Sequence, residues 1–166
     1  MSERPDIDRL LAILAGFRLG IQGGEHQDRA AVLVCVSLLE QTLEDTIWYR
    51  AAAEHANDER ERFFSENGGV ASSLAEKILL AYVLGVIGPE TRTDLTCIRQ
   101  IRNVFAHAKR HLDFNMKEIV ELCDFQICKS KVWKTAVGSA TLTPREIFVE
   151  VVQIIAEGLM CPIQLP

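Results

Sequence analysis

Apolar residues recur at spacings of three and four through nearly the whole chain, and that period confines it to α-helices packed on α-helices. Ile7, Leu10, Leu11, Leu14, Phe17 and Ile21 form one stripe over residues 6–21, closed by Gly23 and Gly24. A long helix is predicted over residues 27–53. Residues 30–39 are apolar nearly all round, as expected of a segment buried between other helices. Beyond them Leu39, Leu43, Ile47 and Tyr49 stand among Glu40, Glu44 and Asp45, so one face returns to water.

Asn57 opens a short helix ended by Asn67, Gly68 and Gly69. Ser73 and Glu76 have the spacing of a capping box, which predicts a buried helix over residues 74–87 with Gly88 as its stop. Pro89 suits the first turn of the next segment. A helix is predicted over residues 93–108 from Leu95, Ile98, Ile101 and Phe105, and another from Asn115 with Ile119, Val120, Leu122 and Cys123 inside. Residues 129–142, rich in Val, Thr, Gly and Ser, are expected to form an ordered loop with at most one extended segment. Thr143, Pro144 and Glu146 make a second capping box, and the last helix, to Met160, presents Ile147, Phe148, Val151, Ile154 and Ile155. The expected architecture is a single all-α domain over residues 1–166, a bundle of six to seven helices.

Composition narrows the function classes. A chain of 166 residues fits one domain, and 48% hydrophobic with 25% charged residues is that of a folded protein. A net charge of -5 argues against coating duplex DNA, whose non-specific binding rests on Lys and Arg neutralising phosphates. No apolar run approaches the roughly 18 residues a membrane span needs. The opening MSERPDIDRL lacks the apolar stretch of a signal peptide, so a cytoplasmic location is expected. Cys35, Cys97, Cys123, Cys128 and Cys161 are accordingly expected to be reduced thiols lining the core.

Familiar catalytic and metal patterns are missing. No glycine-rich phosphate loop occurs. His107 and His111 could share a helix face, but acidic ligands beside them are scarce, and Cys123 and Cys128 are spaced wrongly for a zinc knuckle. Glu40 and Glu44 lie one turn apart without the Glu-x-x-His partners of di-iron bundles. No metal and no cofactor are expected. The turn at Val86–Pro89 joins two helices, but Leu95, Ile98, Ile101 and Phe105 claim a face of the second, so a DNA-reading helix-turn-helix is not expected.

One segment concentrates unusual chemistry. From Arg99 to Lys117 five Lys and Arg face one Asp, a local charge of +4. Asn103 and His107 stack one turn apart on a helix, and Arg102 is close enough to reach the same spot. Arg as a bidentate cation, Asn as a positioning amide and His as a proton carrier could hold a phosphate. The candidate ligand or phosphate contacts are Arg99, Arg102, Asn103, His107, Lys109 and Arg110. The same trio admits a purely structural role, with Arg102 paired to Glu44 or Asp45 and His107 satisfying a carbonyl.

The run Arg102-Asn103-x-Phe105-Ala106-His107 resembles the Arg-Asn-x-Phe-Ala-His signature of the mannitol operon repressor family. The likeness extends back through LAEKILLAYVLGVIGPETRTDLTCIRQIRN and AAVLVCVSLLEQTLEDTI and is strongest over residues 30–122. It implies a non-enzymatic transcriptional regulator that acts through protein contacts as a co-repressor; a homodimer is expected, with another regulatory protein as a further candidate partner. The same residues resemble the looser Arg-x4-His motif of the HEPN superfamily, whose helical domains include metal-independent endoribonucleases. That resemblance implies RNA as a partner and Arg102, Asn103 and His107 as the catalytic positions, meeting across a dimer. The Tyr that often follows the His in toxin members is missing, Lys109 standing there instead, and Phe105 matches the repressor branch better.

Overall fold

A computed structural model describes residues 27–51, 57–109 and 112–160 of the chain. Among them are seven α-helices and one 3₁₀ turn, with no strand. The helices are α1 (Gln27–Ala51), α2 (Asn57–Phe64), α3 (Leu74–Val83), α4 (Pro89–His107), α5 (Lys117–Leu122), α6 (Lys131–Val137) and α7 (Pro144–Met160); the 3₁₀ turn is Gln126–Lys129. The all-α bundle expected from the periodicity is what forms. The stripe over residues 6–21, and Cys161, lie outside the described residues.

Helix α1 is the axis of the bundle, packed against α7, α4 and α3. Its residues Val32, Cys35, Val36, Leu39, Leu43 and Ile47 are buried, as its apolar first half requires, whereas Tyr49 stays in water. Phe148, Val151, Ile154 and Ile155 of α7 are buried too, so its apolar surplus is consumed within the chain's own core. Trp48 meets Phe63 and Phe64 at centroid distances of 6.1 and 6.3 Å, which docks α2 on the end of α1.

Both capping boxes form as the spacing predicts. The Glu76 backbone N–H donates to Ser73 Oγ at 3.3 Å while the Ser73 N–H donates to the Glu76 carboxylate at 2.8 Å. Thr143 and Glu146 repeat the exchange at 3.3 and 2.7 Å. Donation from the Ser73 backbone N–H, and then from the Ser73 and Ser72 hydroxyls, holds the Glu76 carboxyl below its ordinary range.

Three expectations need correction. Helix α3 stops at Val83, short of Gly88, because Gly85 adopts φ +66 and closes a Schellman motif: its N–H donates to Tyr82 O and that of Val86 to Ala81 O. Nor is α3 buried throughout. Only Lys77, Ile78 and Ala81 are sealed, while Leu79, Tyr82 and Val83 face outward, because neighbours cover only part of a helix that is apolar nearly all round. Helix α4 begins at Pro89 rather than residue 93, since proline at the first helical position breaks nothing. Third, the expected loop over residues 129–142 holds α6. Ser130 caps it by accepting the Trp133 N–H at 3.2 Å, and Gly138 at φ +65 ends it. Local capping here outweighs the weak helix propensity of Val and Thr.

Candidate functional site

The candidate residues ride on α4, and the helix period decides what they do. Thr91, Asp94, Leu95, Ile98, Ile101 and Phe105 are its buried stripe. At roughly 100° per residue, Asn103 and His107 point away from that stripe, in line with Thr96 and Gln100. His107 is exposed, and Asn103 is half-buried. Four polar side chains thus line the side of α4 away from the buried stripe.

Arg102 lies nearer the buried edge and is half-buried; its guanidinium Nη1 donates to Asn103 Oδ1 at 3.2 Å. Arg99, one turn before Asn103, is half-buried, and Lys109 is exposed just past the helix end. Arg110, like His111, lies outside the described residues. Arg102 and Asn103 are thus joined, His107 follows one turn on, and Arg99 flanks them. Val104, between them in sequence, is 42% exposed.

The structural role considered for Arg102 does not form. Glu44 and Glu40 both accept from the buried Lys77 ammonium, each at 2.5 Å, and Asp45 pairs with Arg60. Among the described residues no acid pairs with Arg99, Arg102 or Lys109. Burial works to lower the Lys77 pKa, but its hydrogen bonds to Glu40 and Glu44, with their charges, more than offset it and leave it raised. The acids the sequence offered to Arg102 are spent on two other cations, Lys77 and Arg60.

Two residues unmarked by any motif fix the end of α4. Arg29 Nη2 donates to Ala106 O at 2.8 Å and its Nη1 to Ala108 O at 3.5 Å, the carbonyls on either side of His107. Asp28 accepts the Phe114 N–H at 3.2 Å and pairs with Arg145 at 3.3 Å, tying the segment after α4 to the start of α1 and to α7. Phe105 completes the anchoring, with centroids 5.3 Å from Phe114, itself 5.3 Å from Phe148 of α7. Within the motif, then, Phe105 points in while Asn103 and His107 point out. No sequence spacing betrays Arg29, because its partners are more than seventy residues away.

Asp94 was also missed. It is buried, and accepts the Gln126 and Ile127 backbone N–H groups at 2.7 and 2.8 Å, which pins the 3₁₀ turn to α4. Burial raises its carboxyl above the ordinary value, against the lowering effect of those two bonds. The thiols near it are quiet: burial pushes Cys123 up to about 12 and Cys128 to about 11, and Cys35 on α1 also reaches about 12. All four described cysteines are free.

Around Asn103 and His107 the α4 face lies outside the surface concavities. Of two surface concavities among the described residues, one is lined by Glu61, Arg62, Ser65, Asn67, Gly68 and Gly69. The other runs along α4 by Pro89, Arg92, Thr93, Thr96, Cys97 and Gln100, so it reaches two members of the polar face. Neither includes Arg102, Asn103 or His107. A small substrate needs an enclosed pocket, whereas an exposed face suits a large partner. Among the described residues no cluster of His, Cys, Asp and Glu could hold a metal ion, and no helix is long and apolar enough to cross a membrane. No protein-family model, curated protein or solved structure matches the chain.

Proposed function

We propose that this chain is a non-enzymatic regulator, resembling the mannitol operon repressor family, that works by binding protein rather than by reading DNA. The observation that carries this reading is the outward stripe on α3. Leu79, Tyr82 and Val83 are 50%, 37% and 70% exposed, and Leu84 continues the patch at 39%. Residues three and four apart share a helix face, so Leu79 lies beside Val83 and Tyr82, over whose ring the Arg92 guanidinium sits at 4.6 Å. Grouped apolar side chains on a surface mark sites of protein contact.

Two measurements test it. In a selection from random duplex DNA, the purified protein is expected to enrich no sequence; a tightly bound, enriched sequence would overturn the co-repressor reading. In size-exclusion chromatography with light scattering, self-association through the stripe gives about twice the 18.6 kDa chain mass. Leu79→Glu with Val83→Glu then returns the protein to one chain mass with its helical circular dichroism intact. A dimer indifferent to both substitutions removes the stripe as the contact.

A second reading is favoured by the display of Arg102, Asn103 and His107. A metal-independent ribonuclease needs a base to take the 2′-hydroxyl proton and a cation to hold the phosphate. His107 has the chemistry for the first and Arg102, braced by Asn103, for the second. Incubation with RNA in EDTA decides it: wild type cleaves and His107→Ala does not. No cleavage by either, or equal cleavage by both, eliminates this reading.

A further inference from the structure

Arg29 stands beside the motif in space while lying more than seventy residues away in sequence. A helix C-terminus carries unpaired carbonyls and a partial negative charge, so a bare α4 end would repel an anion held near His107. Arg29 reverses that condition. Its two hydrogen bonds, to Ala106 O and Ala108 O, bracket His107 and bring a full positive charge to the carbonyl end. A guanidinium has five N–H donors, and these bonds use two, so three are left for an incoming group. The acid next to it in sequence is no competitor, because Asp28 is engaged by Arg145 and the Phe114 N–H.

We propose that Arg29 is part of an anion site at the end of α4, holding the last turn in place and contacting a phosphate together with Arg102 and His107. The ligand class is a tetrahedral phosphate, free or within a nucleic acid. The proposal rests on the reading of this helix end as a phosphate site, the one shared with the ribonuclease function, and does not depend on cleavage. Arg29 acts on the site in two ways: through α4 it positions His107, and through its free donors it adds a cation.

The test is a titration of the full chain with inorganic phosphate, followed through the backbone amide NMR signals of residues 105–109. Wild type is expected to show saturable shifts there that chloride at equal ionic strength does not reproduce. Arg29→Gln is expected to weaken binding about tenfold, the lower end for one hydrogen bond to a charged group, and to speed amide exchange in the last turn of α4. Arg29→Lys, which keeps the charge, recovers part of the affinity and covers the case in which the glutamine variant folds poorly. Absence of shifts in wild type overturns the phosphate site itself, and the proposal with it. Shifts in wild type with unchanged affinity in both variants leave the phosphate site standing and remove Arg29 from it.

Discussion

Two polar clusters lie on neighbouring helices and have opposite fates. Around Lys77, one cation meets two carboxylates between α3 and α1, and the lysine side chain is only 5% exposed. Around Arg102, a cation meets a neutral amide, with an exposed histidine one turn away and, among the described residues, no acid. The first cluster answers its own charges and so belongs to the fold. The second leaves positive charge unanswered at a surface, where holding it contributes little to stability. Charge balance and burial, more than residue type, separate a packing device from a surface available to a partner.

The contrast is sharpest inside the motif itself, where the largest effect is expected. Phe105→Ala removes a buried ring between Phe114 and the core and should cost about 3–5 kcal/mol in urea unfolding. A loss below about 1 kcal/mol would mean that the ring is not the anchor of α4. Next comes Lys77→Met, which leaves Glu40 and Glu44 facing each other without a cation. Removing one partner from a buried ion pair costs about 3–5 kcal/mol, and the quarter exposure of both carboxylates reduces this to roughly 2–3 kcal/mol. Because the Lys77 pKa is raised in the folded state, its contribution is whole at neutral pH and fades as pH rises through that value. The gap between wild type and Lys77→Met should therefore narrow in alkaline buffer. A gap that holds or widens there would show that the ion pair is not what stabilises the α1–α3 contact.

How much of the fold and of the site is legible in the residues depends on the range of each interaction. The two capping boxes are legible because donor and acceptor lie three residues apart, and α1 and α7 because their apolar stripes are long. The end of α3 depends on Gly85 taking φ +66, and three glycine or proline stops crowd that stretch, so the wrong one stands out. Helix α6 hides behind Val and Thr until Ser130 and Gly138 are seen to bracket it. At the site, Arg102, Asn103 and His107 are visible by spacing. Their acid partners are not, because Glu44 and Asp45 are equally placed for Arg102 on paper and only packing assigns them to Lys77 and Arg60. Arg29 and Asp94 act over long sequence separations and carry no local signature.

The smallest effect bears most directly on whether the motif serves the fold or a partner. The double variant Arg102→Ala with His107→Ala, unfolded in urea beside wild type, is expected to lie within about 0.5 kcal/mol of it, as surface substitutions do. That result, with Phe105→Ala strongly destabilised in the same series, would separate the displayed half of the motif from its buried half. A loss of about 2 kcal/mol or more in the double variant would contradict the account and make the cluster part of what holds the helices together.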